Sequence, residues 1–169
     1  MSTYACSDLH GMLHFYKTIK EFLKPEDVVF FLGDAGDRGP HPWETIKAIL
    51  TDPQFIYIKG NHEDMLVNAL GKGYGRQFNL LRSNGGKDTY HQCLEEPDWA
   101  DWRIKLKKLP THMEYQNAQG ETIYLECYCG PGKDGKFNCH GEIIVYKLQK
   151  RLLKEKIKEA KEKRKHEMG

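Results

Sequence analysis

Residues 28–40 read VVFFLGDAGDRGP, a continuous apolar run followed by a loop that carries two carboxylates, an arginine and several glycines. A short unbroken apolar run is typical of a strand that is buried in a parallel sheet. In open α/β sheets, ligands bind just beyond the carboxyl ends of such strands. The sequence therefore predicts a strand that ends in a functional loop, with Asp34 and Asp37 at the site.

Two other apolar runs end in the same way. YAC leads into SDLHG at residues 7–11, and FIYI leads into GNHE at residues 60–63. Together the three loops supply the carboxylate, imidazole and amide groups that bind divalent ions such as manganese, iron or zinc. One such tripeptide is weak evidence. Three in order, each after its own strand, predict two-metal hydrolysis of a phosphate ester.

The segments between and after these runs predict an α/β chain. Apolar residues repeat with helical period between residues 12 and 23, and a second helix is predicted from His41 to about Asp52, which completes a β-α-β unit. An irregular helical region is expected over residues 64–109. Beyond it, alternating patterns predict three antiparallel strands in a second sheet, at residues 112–115, 122–129 and 137–146.

The three motifs together resemble the signature of the calcineurin-like metallophosphoesterases, which is D-x-H(G), then G-D-x-x-D-R-G, then G-N-H-E/D. The R-G-P ending and Glu63 are most similar to the branch of bacterial and phage-type Ser/Thr protein phosphatases and symmetrical diadenosine tetraphosphate hydrolases. FNLLRSNGGKDT at residues 78–89 resembles the W-x-x-N-G-G-x-x-T stretch of that branch. The resemblance implies a double β-sheet flanked by helices, with the second sheet reduced.

The metal ligands follow from this resemblance. Asp8 and His10 are two apart at a strand end, so their side chains are expected to point to one side and share an ion. The resemblance makes Asp34 the carboxylate that bridges two ions and assigns Asn61 to the second ion. We expect manganese, with iron and zinc as alternatives.

The remaining motif residues suit catalysis. Arg38 offers a planar fork that matches two phosphate oxygens. The resemblance assigns His62 to protonating the leaving oxygen, and Asp37 is interpreted as the partner that fixes the tautomer of His62.

The sequence departs from the family in its second half. Complete members supply two more histidines to the second metal and another phosphate-binding arginine, and we find no match to these here. YLECYCG at residues 124–130 can be aligned so that Cys127 takes the place of the first histidine. It can instead be aligned with a later strand pair that includes Cys139, and we favour this second register. The second ion is then expected to be held mainly by Asp34 and Asn61, with His140 as a further candidate.

We therefore expect a metal-dependent phosphoesterase that hydrolyses phosphoserine or phosphothreonine through a metal-activated hydroxide. Two alternatives stay open, namely a symmetrical dinucleoside polyphosphate hydrolase and a degenerate phosphate-binding protein with little turnover. The phosphoesterase domain is placed at residues 1–146, shortened after about residue 115, and residues 147–169 are expected to form a basic helix or tail. The expected partner is a phosphorylated protein or another phosphate ester.

Composition limits the other function classes. Between residues 147 and 168 there are ten Lys or Arg against four Glu, a mixture more typical of a solvated helix face than of a nucleic-acid site. Five cysteines, an odd number, and the lack of a leader before the first motif favour a reduced, cytoplasmic protein. No apolar run approaches the roughly 20 residues that span a bilayer, so no membrane partner is expected.

Overall fold

The computed structural model describes residues 1–127, the strand at residues 145–147 and residue 162. The described strands are β1 (Thr3–Cys6), β2 (Val28–Phe31), β3 (Phe55–Tyr57), β4 (His112–Gln116), β5 (Thr122–Glu126) and β6 (Val145–Lys147). The helices of this part are α1 (Leu13–Phe22), α2 (Pro42–Thr51), α3 (Asn61–Lys72), α4 (Arg76–Ser83), α5 (Lys87–Glu95) and α6 (Trp99–Lys107). None of these helices is long and apolar enough to cross a membrane.

The first sheet has the strand order β3-β2-β1-β6, and its first three strands are parallel. The apolar run of β2 lies between β3 and β1 in this sheet, and its side chains are buried on both faces. Val29 and Phe31 belong to a core that also contains Ile46 and Ile49 of α2, while Phe30 belongs to a second core on the other face. The predicted β-α-β unit, β2-α2-β3, is therefore confirmed, and β1-α1-β2 forms a second unit beside it. The parallel strands end at one edge of the sheet.

The second sheet is the antiparallel hairpin β4-β5. Leu125 of β5 packs with Ala5, Phe30 and Ile58, so the hairpin covers the face of the first sheet opposite the core that contains α2. This arrangement is the reduced double sheet that the sequence predicts.

The end of the third strand that we expected in the second sheet lies in the first sheet instead, while residues 137–144 are outside the described residues. Residues 145–147 pair antiparallel with β1 in the first sheet, with Lys147 opposite Tyr4. Lys147, which the sequence assigned to the basic tail, is thus the last residue of a strand. Cys129, Cys139 and His140 lie outside the described residues, as does the rest of the expected tail except residue 162.

The region predicted as irregular and helical consists of four helices, α3 to α6, and it begins earlier than expected. Asn61, His62 and Glu63 form the first turn of α3 rather than a loop before it. The side chains of the GNHE motif are consequently held by a helix, which is more rigid than a loop.

The Glu63 carboxylate ties the loop after β2 to the start of α3. It accepts hydrogen bonds from the backbone N–H groups of Asp34 and Ala35, each at 2.9 Å, and from that of Gly60 at 2.8 Å. The Tyr57 hydroxyl donates a fourth bond at 2.9 Å. Glu63 is 1% exposed, so water does not replace the carboxylate as the acceptor for these donors. The carboxylate therefore fixes the two segments that carry the central motif.

We expect Glu63→Gln to destabilise the protein by about 2–4 kcal/mol, because an amide offers one acceptor oxygen and turns an N–H group toward backbone donors. Tyr57→Phe is the matched control, since it removes only one of the four bonds and should cost about 1 kcal/mol. Urea denaturation of both variants measures the difference. Equal stabilities of the two variants would contradict the anchoring role of Glu63.

Asp52, at the end of α2, connects α1 to the start of β3. Its carboxylate accepts hydrogen bonds from Tyr16 at 2.8 Å and from the backbone N–H of Gln54 at 2.9 Å, and Lys20 Nζ lies 2.8 Å away. Burial disfavours the charged form, but the Lys20 ammonium and the hydrogen-bond donors outweigh it. The pKa of Asp52 therefore lies below its usual value of 3.8.

Asp52→Asn should lower the free energy of unfolding by about 1–2 kcal/mol, since the amide places its NH₂ against donors. A lowered folded-state pKa gives stability that is fully present above the unfolded pKa and is lost as the pH falls through the folded one. The difference from the wild type should thus be constant above about pH 5 and shrink only at pH values under 3.8. Urea denaturation across this range tests the prediction, and a difference that already fades at neutral pH would refute it.

Candidate active site

The three motif loops lie together at the carboxyl edge of the first sheet, and backbone hydrogen bonds join them. The N–H of Asp8 donates to Gly33 O at 3.0 Å, and that of His10 donates to Asp34 O at 3.1 Å. On the other side, a Cβ on Gly33 would lie 2.5 Å from backbone atoms of Gly60, which only glycine permits. The close approach of the loops brings their polar side chains into one cluster.

Several motif residues have a left-handed backbone that non-glycine residues rarely adopt. The φ angles are 58° for Asp8, 41° for His10, 63° for Asp34, 66° for Asp37 and 64° for Arg38. Such conformations cost about 1–3 kcal/mol each and concentrate at functional sites. They also correct the reason we gave for the proximity of the Asp8 and His10 side chains. Because β1 ends at Cys6, left-handed turns, and not strand alternation, bring these side chains together.

His10, Asp34 and His62 offer ligand atoms that all lie within 4.8 Å of one another, and all three residues are buried. His10 Nδ1 faces the carbonyl oxygen of Gly36 at 2.9 Å, which leaves Nε2 directed to the cluster. Nε2 lies 3.6 Å from Asp8 Oδ1. Within the described part of the chain, Nε2 has no hydrogen-bond partner. A buried imidazole nitrogen beside two carboxylates suits coordination of a cation.

Asp34 is at the centre of the cluster and is fully buried. Its Oδ1 accepts a hydrogen bond from the backbone N–H of His62 at 3.0 Å, and one terminal amide atom of Asn61 lies 3.1 Å from Oδ1 and 3.0 Å from Oδ2. Burial, with the nearby charge of Glu63, raises the pKa of Asp34 to about 7. The protein thus holds a carboxylate where its negative charge is poorly compensated.

The charges around Asp34 also indicate that the cluster binds cations. Four carboxylates, those of Asp8, Asp34, Asp37 and Glu63, are at most 4% exposed. Buried charges of one sign are costly unless ions of the other sign accompany them. Carboxylate, imidazole and amide donors are a ligand set for divalent cations, so the residues present fit a metal centre.

His62 is fixed on the other side of the cluster. Its Nδ1 lies 2.5 Å from Asp37 Oδ2, and the Thr89 hydroxyl hydrogen-bonds to Asp37 Oδ1. The backbone N–H of Asp37 donates to Thr89 Oγ1 at 3.2 Å. Burial alone would lower the pKa of His62, but the hydrogen bond and charge of Asp37 outweigh it and raise the pKa above the usual 6.5. The imidazole is therefore held in one orientation, and its raised pKa favours the protonated form.

Arg38 is exposed, and its guanidinium borders His62, with Nη2 3.4 Å from His62 Nε2. Its backbone N–H donates to Gly85 O at 3.0 Å, and its Nε contacts Asn84 O at 3.4 Å. The N-G-G segment thus positions the arginine. An exposed guanidinium beside a buried anionic cluster suits the binding of an anion.

All seven residues predicted for the site lie in this region. They are Asp8, His10, Asp34, Asp37, Arg38, Asn61 and His62. Sequence reasoning gave no role to Glu63 and Thr89, and it placed Cys127 at a metal-ligand position only in the register that we did not favour. The first two belong to quoted motifs and could have been found there. Cys127 Sγ lies 3.5 Å from Asp34 Oδ2, a position that agrees with the register we did not favour.

Comparison with known proteins identifies the family of this chain. The calcineurin-like phosphoesterase family matches residues 1–166. The chain is 30% identical over 115 residues to serine/threonine-protein phosphatase 2 of Escherichia coli strain K12, which covers 65% of this chain and 50% of the relative. It is 31% identical over 127 residues to the symmetrical bis(5'-nucleosyl)-tetraphosphatase of Pseudomonas putida strain GB-1, which covers 71% of this chain and 40% of the relative.

The fold agrees with that of a solved relative. A metallophosphoesterase from Sphaerobacter thermophilus superposes with a TM-score of 0.50 and 23% identity, over 67% of this chain and 43% of that one. The chain spans half or less of the length of these curated relatives. The family implies binding of a divalent metal, for which the cluster around Asp34 is a possible site. The family match over nearly the whole chain, together with the ordered motifs, establishes that this protein belongs to the calcineurin-like phosphoesterase family.

Proposed function

We propose that this chain hydrolyses phosphate monoesters, and that phosphoserine or phosphothreonine in a partner protein is its substrate. The observation that carries the proposal is the Asp37–His62 pair beside Arg38, next to the buried cluster of Asp34 and His10. This arrangement supplies a proton donor, an anion-binding group and a metal-binding group at one sheet edge. Similarity to both protein phosphatases and dinucleotide hydrolases supports the reaction class.

Asp8, His10 and Asp34 would hold one divalent ion, and Asp34 and Asn61 would contribute to a second. Manganese is our choice for these oxygen and nitrogen donors, with iron and zinc as alternatives. When bound, such ions activate water and offset the negative charge of the phosphoryl group.

His62 would give its proton to the leaving oxygen. The Asp37 carboxylate accepts a hydrogen bond from the Nδ1–H of His62, which directs Nε2 toward the Arg38 guanidinium. Thr89 holds Asp37 from behind, so the orientation of the imidazole depends on a residue that does not meet the substrate. Arg38 would bind two phosphoryl oxygens through its planar fork and align the ester with the His62 proton.

The proton-donor role of His62 is tested by the leaving group. We expect His62→Ala to lower kcat for a phosphoserine peptide by about 10²- to 10⁴-fold, the usual contribution of a general acid. The loss for p-nitrophenyl phosphate should be much smaller, because p-nitrophenolate leaves without a proton. His14→Ala, which removes an exposed imidazole from α1, is the control and should leave both rates unchanged. Equal losses with the two esters would show that His62 acts in another way.

A dinucleoside polyphosphate is the second candidate substrate, favoured by the match to the Pseudomonas tetraphosphatase. With added manganese, we expect a phosphoserine peptide to be hydrolysed faster than diadenosine tetraphosphate, and chelation by EDTA to stop both reactions. The opposite order of rates would move the assignment to the dinucleotide. Phosphate binding without turnover of either compound would indicate a degenerate, phosphate-binding member of the family.

A further inference from the structure

Cys127 is brought to the candidate metal centre by the second sheet. It directly follows β5, whose Leu125 pairs with Met113 of β4 and packs in the core beneath the hairpin. Cys127 is 4% exposed, and its Sγ lies 3.5 Å from Asp34 Oδ2. The packing of the hairpin therefore fixes a sulfur atom beside the carboxylate at the centre of the cluster.

The same carboxylate oxygen meets Asn61. One terminal amide atom of Asn61 is 3.0 Å from Asp34 Oδ2 and 3.1 Å from Oδ1. As an NH₂ group it donates to both oxygens, and a half-turn about its terminal bond presents an amide oxygen to the same place. An amide group and a sulfur atom thus converge on Asp34 Oδ2. Together with the carboxylate of Asp34, they are a combination of donors that a cation could use.

His10 indicates independently that this cluster binds a cation. Its Nε2 atom is directed to the cluster and has no hydrogen-bond partner among the residues that the structure describes. The residue is 7% exposed. A buried polar nitrogen without a partner is unfavourable in proteins unless a ligand compensates for it. The nitrogen lies next to Asp34, so the ligand that His10 implies reaches the carboxylate that Cys127 contacts.

We propose that Cys127 is a ligand of the second divalent ion, together with Asp34 and Asn61, and that the second ion is therefore one that accepts a thiolate. On coordination the thiol releases its proton to solvent, and a metal–sulfur bond forms in place of the contact between the thiol and Asp34. This inference rests on the proposed metal-dependent function. It replaces the expectation that the second ion is held mainly by Asp34 and Asn61.

A thiolate changes which metal the second position prefers. Thiolates select zinc and other borderline or soft ions, whereas manganese prefers oxygen donors. The second position should thus favour zinc, iron(II) or cobalt(II) over manganese, while Asp8 and His10 offer oxygen and nitrogen donors to the first position. Two different ions in one site are the direct consequence.

The alternative is that Cys127 is a small buried residue whose thiol only donates a weak hydrogen bond to Asp34. Both accounts fit the 3.5 Å separation between Sγ and Oδ2. They differ in one property, which is whether the sulfur bonds directly to a bound metal.

The test is a titration of the metal-free full chain with Co²⁺ alone, followed by absorption and by equilibrium dialysis. A thiolate bound to Co²⁺ gives a charge-transfer band in the near ultraviolet. The wild type should develop this band as the second equivalent binds, and Zn²⁺ should displace the cobalt and remove it. Cys129→Ser, which removes a cysteine two positions along the chain, should leave the band unchanged.

Two variants of Cys127 complete the experiment. Cys127→Ser should lose the band and bind the second Co²⁺ at least about 10- to 100-fold more weakly, the range known for loss of even an outer ligand contact. Cys127→His should lose the band but keep two bound ions, because an imidazole replaces one ligand with another. Circular dichroism checks that both variants are folded.

Two results would overturn the inference. The first is a wild type that binds two Co²⁺ ions without a charge-transfer band, which needs no variant. The second is a band that persists in Cys127→Ser. The readout is independent of catalysis, so a band with two bound ions but no hydrolysis of any phosphate ester would refute the proposed function and leave Cys127 as a ligand.

Discussion

The buried Glu63 carboxylate accepts hydrogen bonds from the backbone of Asp34, Ala35 and Gly60, and the geometry of the site depends on it. It holds the loop after β2 against the first turn of α3. In this way it stabilises the left-handed backbone at Asp34, a conformation that is unfavourable without support from the surrounding structure. The site is thus rigid because a buried charge satisfies backbone donors from separate segments.

Negative charge at the sheet edge gives the site its chemistry. The protein gathers several carboxylates away from water around Asp34, whose pKa burial raises to about 7. Such an arrangement is unfavourable alone and becomes favourable when cations bind. Arg38 remains outside, at the surface. Under the proposed function, the separation of buried anions from an exposed guanidinium would orient a phosphate ester, with its phosphoryl oxygens toward the positive groups.

The hairpin of the second sheet has two roles. Through Leu125 it covers the face of the first sheet opposite the core that contains α2. It also carries Cys127 to the Asp34 carboxylate, and thus brings a residue distant in sequence to the motif cluster. The hairpin follows α6 and places Cys127 Sγ 3.5 Å from Asp34 Oδ2. This contact is the basis of the inference on the second ion.

The sequence by itself determined the parallel strands, the crossover helices and the motif residues, because each depends on a local pattern. VVFF is continuous and apolar, so it predicts a buried strand, and the loop that follows it must lie at the sheet edge. Only the tertiary structure decided how the backbone brings Asp8 and His10 together, because left-handed turns leave no periodic signal. It also decided that residues 145–147 join the first sheet and that Cys127 meets Asp34. Both are contacts between residues more than 90 positions apart, and the local pattern of a strand specifies neither its neighbour in a sheet nor the residue it faces.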